Sequence, residues 1–349
     1  MNHKDPSLNF ARALPRSKRG WDSYLLTLLI PLLYSSSCKD IGDPVRVNYQ
    51  NDFGIYFLED TTLKIQDILS NDLSQFRLQT TPWISTEDID FYDWSSHCIY
   101  LKQDKRYFFP GFQYLYRFPA SWTDRPYIVV ADKVPCYSGY FLTDATVTLY
   151  PAPYTGAVEV GAFPEDIVTS EWPFLFHSDP RDNRFAKEVL IQSGLYRAGL
   201  DLFLDTTESA IKIMNGDTTT IEYTVHIRNG DRDGLYVFDP GKMSSEVFHY
   251  YNNGPDFVNP NSYESYSSQY KKTEAPSAWD RSWYTLLKSG QSLVRTIQLR
   301  GYPFIPPGTY LVQWSYAAPR PERNVREDSL GRYWIGPTRT DPLLLTFYQ

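Results

Sequence analysis

Residues 219–228 read TTIEYTVHIR, and the fold class is settled there. Ile221, Tyr223, Val225 and Ile227 fall on one face; Thr220, Glu222, Thr224 and His226 fall on the other. A period of two is the signature of a half-buried β-strand. The strand runs into Asn229-Gly230 and then Asp233-Gly234, both turn dipeptides. Leu235–Phe238 reads as the next strand. Residues 292–299 alternate again, and 343–348 close the chain as a last strand.

The same reading extends upstream. Strands are expected at 54–58, 63–65, 98–101, 106–109, 127–131 and 137–142. Ser85 with Asp88 three residues on is a capping-box pattern and predicts a helical turn near 86–93. Around Asp179 the period changes. Asp179 as N-cap, Pro180 at the first helical position, and the pairs Phe185/Val189 and Ala186/Leu190 predict a helix over 181–193 stopped by Gly194. A strand at 196–204 should pack beside it. The fold class expected is mainly β: an α+β domain over 51–205, then an antiparallel β-sandwich over 206–349.

The C-terminal part carries a fold-level resemblance. Residues 307–314 read PGTYLVQW, a turn delivering Tyr310 into a strand. This resembles the tyrosine corner of Ig-like sandwiches. With the KSGQ turn at 288–291 it is similar to a bacterial Ig-like fold shared by some secreted modules and a proteinase-inhibitor family. The resemblance implies that Tyr310 and Trp314 are buried and that the Tyr310 hydroxyl bonds to backbone. The cysteine pair of antibody domains is missing. Such motifs speak to fold and hardly to activity.

The N-terminal part resembles a bacterial lipoprotein precursor. Arg12, Arg16, Lys18 and Arg19 precede an apolar run from Tyr24 to Tyr34, then Ser35, Ser36, Ser37 and Cys38. As a helix the run would reach only ~17 Å, against ~30 Å of hydrocarbon. A cleaved export signal over 1–37 fits better than a permanent span. Ser35 stands where the family usually carries an aliphatic residue. The resemblance implies cleavage before Cys38, lipid on that cysteine, a tether over 38–50, and anchoring to the outer membrane, facing the periplasm or the outside. A lipid chain anchors without spanning.

Five Lys/Arg and two Asp/Glu precede Cys38, so the remainder carries a net charge of about −10 against −7 for the whole chain. That disfavours nucleic acid as a partner. Once Cys38 takes lipid, Cys98 and Cys136 remain. An oxidising envelope permits a disulfide between them, worth ~3–4 kcal/mol by loop entropy; two buried free thiols are the alternative.

No GxSxG, HExxH, CxxC or glycine-rich phosphate loop occurs, and no cofactor is expected. Asn229, Asp231 and Asp233 match the first half of a calcium loop, but Pro240 stands where the closing Glu belongs. They are weak metal candidates and read first as a polar turn. A second cluster, His177, Asp179, Asp182 and Asn183, reads first as helix capping. Tyr250, Tyr251, Phe257, Tyr263, Tyr266 and Tyr270 lie among Ser and Asn, the composition of adaptable recognition loops. The leading expectation is a non-enzymatic envelope lipoprotein for binding or assembly with a protein or glycan partner. The alternatives are an envelope hydrolase with an accessory Ig-like domain, whose sign would be convergence of His97, His177, Asp179, Asp182 or His249, and a surface-fibre subunit.

Overall fold

The computed structural model describes residues 11–13, 52–102, 122–142, 149–156, 167–172, 178–206, 211–216, 218–269, 280–318 and 327–348. Cys38, His177, Tyr270 and the strand expected at 106–109 lie outside the described residues. The chain is mainly β, as the alternation requires. Among the described residues no helix is long and apolar enough to cross a membrane.

In chain order the first half holds β1 (Ala11–Ala13), β2 (Phe53–Phe57), α1 (Ile65–Ile68), β3 (Ile84–Ser85), β4 (Ile89–Asp93), β5 (Cys98–Leu101), β6 (Pro126–Ala131), β7 (Val134–Leu142), β8 (Tyr154–Gly156), β9 (Ile167–Val168), α2 (Arg184–Gln192) and β10 (Tyr196–Arg197). One sheet runs β3-β2-β6-β7-β8, another β10-β4-β5-β9. The β6 sequence PYIVVA is apolar throughout because both its faces are covered. Tyr127, Val129 and Ala131 enter the core shared with β4, β5 and α2. Ile128 and Val130 enter a second core closed by Ile65 and Ile68 of α1.

Four local expectations change. Ser85 and Asp88 do pair, Ser85 Oγ donating to Asp88 Oδ2 at 2.7 Å, but they close a turn from β3 into β4 instead of starting a helix. The alternation Ile89/Phe91 outweighs the cap. Residues 63–65 are not a strand; Ile65 opens α1, because the Asp67 carboxylate accepts from Lys64 N at 2.7 Å. Helix α2 begins at Arg184, capped by Asn183, whose side chain accepts from Ala186 N at 3.0 Å. Asp179 does not cap the helix: its carboxylate accepts from Arg181 N at 2.9 Å and from the Arg181 guanidinium, and closes the turn before it. The strand expected at 196–204 is broken by Gly199, whose φ of +74° is left-handed; a Cβ there would meet Ser95 and Asp93.

The second half holds β11 (Leu200–Leu204), β12 (Ile211–Met214), β13 (Thr219–Asn229), β14 (Leu235–Phe238), α3 (Ser245–Tyr251), β15 (Asp256–Val258), β16 (Ser265–Tyr266), β17 (Tyr284–Leu287), β18 (Ser292–Tyr302), β19 (Gly308–Gln313), β20 (Ser315–Ala318), β21 (Glu327–Asp328), β22 (Gly331–Tyr333), β23 (Gly336–Arg339) and β24 (Leu343–Phe347). β13 is the centre of one sheet, pairing with β11, β12 and β18, all antiparallel. Opposite lie the sheets β1-β24-β19-β15-β16 and β17-β14-β22-β21, with the pair β20-β23. Ile221, Tyr223, Val225 and Ile227 are fully buried in the core between these layers, with Trp314, Tyr310 and Phe238. This sandwich-like arrangement is consistent with the Ig-like reading. Tyr310 is buried, and its hydroxyl donates to the Pro306 carbonyl at 2.8 Å, a bond worth ~1 kcal/mol.

The halves meet at a buried ion cluster. Arg332 on β22 donates through Nη2 to Asp93 of β4, and to Asp231 Oδ2 at 2.9 Å. Its guanidinium lies over Phe91 at 5.0 Å, and Phe91 stacks on Tyr100 at 4.1 Å. Trp334 Nε1 donates to Ser95 Oγ at 2.9 Å across the same junction.

Candidate functional site

The structure brings together three of the five residues singled out for convergence. The ligand atoms of His97, Asp179 and Asp182 all lie within 4.8 Å of one another. His97 ends the turn between β4 and β5, where Asp93 Oδ1 accepts from Ser96 N at 3.1 Å. The turn leaves His97 at φ +52°, a backbone region that non-glycine residues seldom occupy. Asp179 and Asp182 come from the segment entering α2. His249 is not part of the site: it sits buried on α3, its ring nitrogens facing the Asn252 and Gln298 carbonyls.

His97 is buried, and its Nδ1 meets the Tyr92 hydroxyl at 2.9 Å. That contact turns Nε2 toward the carboxylates, with Asp182 Oδ1 at 3.6 Å. Asp182 itself is largely exposed, so the site opens to solvent on that side. Trp94 covers the imidazole edge-on at 5.2 Å, and Lys187 lies 5.1 Å from the Trp94 ring. Arg181 is buried beneath. It holds Asp179 through Nε at 2.9 Å and 3.0 Å and reaches the Ser170 carbonyl.

The electrostatics follow from burial. Desolvation, then the nearby Arg181 charge, hold the His97 pKa below its usual value of 6.5, so the imidazole stays neutral. Desolvation alone would raise Asp179, but its hydrogen bonds from Arg181 outweigh that and keep it ionised. A neutral nitrogen and two carboxylates facing one opening form a donor set for a cation. Desolvation pushes the Cys98 thiol up to about 12, which rules it out as a thiolate nucleophile near neutral pH.

The remaining expected site residues are placed elsewhere. Cys98 and Cys136 are free thiols, so the expected bridge is not formed. Cys98 on β5 packs with Phe91 and Ile335, whereas Cys136 on β7 borders the main first-half core. The 229–234 turn is structural. Asn229 is buried and donates to the Asp233 and Leu287 carbonyls, and the Asp231 carboxylate is taken by Arg332. The described part of the Tyr-rich segment is no loose insertion: it forms α3, β15 and β16. Phe257 is core, Tyr251 packs on Phe238, and Tyr266 packs edge-on to Tyr310 at 5.7 Å. Tyr250 is half-buried beside Tyr251. Of the described candidates, Tyr263 alone is widely exposed, at 82%.

Sequence reasoning named His97, Asp179 and Asp182 but missed Arg181, Tyr92 and Trp94. No motif marks those three; only the packing of α2 against the sheets aligns them. No family model, curated protein or solved structure matches the chain.

Proposed function

We propose that this chain is a non-enzymatic lipoprotein of the cell envelope, held by lipid on Cys38, that binds a protein or glycan partner. The observation supporting this reading is the presentation of Tyr263. It stands at the tip of the β15–β16 hairpin with φ +59°. The turn is firmly built: Asn259 Oδ1 accepts from Asn261 N at 2.9 Å, and Asn259 N donates to the Glu264 carbonyl at 2.9 Å. An ordered turn that spends strain on displaying a bare aromatic ring is a recognition feature.

Register adds two further aromatics. Val258 pairs with Leu311 and Gly308 pairs with Phe347. The hairpin tip, the segment before Gly308 and the residue after Phe347 therefore share one end of the sheet. That end carries Tyr263, Phe304 at 63% exposure and Tyr348 at 48%. Such rings stack on sugars or anchor protein interfaces.

The test compares wild type with Tyr263→Ser/Phe304→Ser on a glycan array and in capture from detergent-solubilised envelopes. Loss of at least tenfold in binding with an unchanged melt is expected, since an aromatic anchor is worth ~2 kcal/mol or more. Undiminished binding by the folded variant would move the site elsewhere. Cys38→Ala, which should shift the protein to the soluble fraction, tests the anchor separately.

One observation favours assembly as a second reading. β1 pairs antiparallel with β24, Arg12 opposite Thr346. β1 precedes Cys38, so cleavage there would strip this strand and leave the β24 edge open to strand addition. This supports the surface-fibre alternative. The hydrolase alternative draws on the His97 cluster alone.

A further inference from the structure

We propose that His97, Asp179 and Asp182 bind a divalent transition-metal ion of the Zn²⁺ class. The donor set is one imidazole nitrogen and two carboxylate oxygens, all within 4.8 Å of one another. Zn²⁺ bonds of ~2.0–2.2 Å to such donors place neighbouring ligand atoms ~3–4 Å apart, so the site closes with small side-chain movements.

The independent sign of a ligand is His97 Nε2. The side chain is more than nine-tenths buried, and its Nδ1 is already engaged by Tyr92. Nε2 is aimed at the carboxylates, yet Asp182 Oδ1 is 3.6 Å away, longer than an ordinary hydrogen bond. When Nδ1 carries the proton and donates it to the Tyr92 oxygen, the Nε2 lone pair faces anionic oxygens. A cation between them turns that repulsion into coordination. The Tyr92 contact then does what outer-shell partners do at metal-bound histidines: it sets the tautomer and orients the ring.

Arg181 sits where a partner of a ligating carboxylate belongs. It bonds both Asp179 oxygens: Oδ1 accepts from Arg181 N and Nε at 2.9 Å, and Oδ2 accepts from Nε at 3.0 Å and from Nη2, so a metal takes Asp179 in place of part of that bonding. The Arg181 positive charge also tempers the affinity, so binding at micromolar rather than nanomolar concentration is expected. With three protein ligands and an exposed Asp182, a coordination position remains for water. The left-handed backbone at His97 places strain at the proposed ligand.

The test uses the full chain, stripped with chelator and titrated with Zn²⁺ against a chromophoric competitor. Wild type should bind one equivalent at this site and melt higher with Zn²⁺ present. Asp182→Asn removes one ligand from an exposed side chain and should fold normally. It should weaken that equivalent at least tenfold and abolish the Zn²⁺-dependent rise in melting temperature. His97→Gln should do the same, and Asp233→Asn, an exposed carboxylate elsewhere, should not. Absence of saturable Zn²⁺ binding would overturn the proposal and leave His97 and Asp182 as a polar contact only. Binding retained in Asp182→Asn would overturn it equally, by placing the ion on other residues.

Discussion

Replacing Arg332 by Met should be among the most damaging single changes in this protein. Asp93 and Asp231 are buried at 0% and 3% exposure, and one guanidinium nitrogen serves both. Burial alone would lower the Arg332 pKa, but the Asp93 and Asp231 charges outweigh it, so the residue is firmly cationic. Met fills much of the same space against Phe91 and Tyr100, so the loss is electrostatic more than steric. Two carboxylates would then share a dry site with no counter-charge. Breaking a buried pair in this way costs ~3–5 kcal/mol. At about 2–4 °C per kcal/mol in domains of 150–250 residues, the melt should fall by roughly 6–20 °C. The cluster joins β4 of the first half to β22 and the 229–234 turn of the second. Calorimetry should therefore show the transition broadening or splitting as the halves lose their coupling. Neutralising the stranded acids should restore most of the loss: in Arg332→Met/Asp93→Asn/Asp231→Asn the amides keep the Ser96 N and Arg232 N hydrogen bonds to their side chains. A single variant melting within ~2 °C of wild type, or a triple variant no better than the single, would show that Arg332 is not what balances the two buried carboxylates.

Two further outcomes are expected. In denaturant without reductant, Cys98 and Cys136 should both alkylate, while in the native state at neutral pH they resist, because burial pushes the thiols up to about 12 and about 11; labelling that needs a reductant would restore the disulfide. Burial holds the folded His249 pKa below its unfolded 6.5, so the unfolded chain binds more protons below that value. Stability should fall as pH drops under about 6.5 and be unaffected above it, and His249→Gln should make that decline shallower in pH-dependent melts; an identical slope would show that His249 does not titrate on unfolding.

Much of the β architecture was legible because side-chain alternation is a local property. Ile221 to Ile227 and residues 292–299 declare themselves through a period of two, Leu235–Phe238 through an apolar run after a turn, and Tyr310 through the turn before it. The failures share a cause. Ser85/Asp88 and Asp179 carry cap chemistry that serves a turn as readily as a helix start, and local sequence does not tell which carboxylate a distant arginine will claim. At Gly199 one strand-like stretch, YRAGLDLFL over 196–204, hides a chain crossing from one sheet to another. Tyr250–Tyr266 reads as one aromatic-rich loop, yet Phe257 is core and Tyr263 is bare, because hairpin register decides which ring faces in.

The mainly-β class, five strands of the second half (β13, β14, β18, β19 and β24) and the Tyr310 turn follow from the sequence, because neighbours a few residues apart set them. Only the tertiary structure decided what stands opposite what. It set His97 beside Asp179 and Asp182, more than 80 residues away. It spent Asp231 on Arg332 instead of a metal ion, and parted Cys98 from Cys136. Each outcome depends on long-range sheet pairing and on the cost of burying a charge without a partner, and neither is written in any local run of residues.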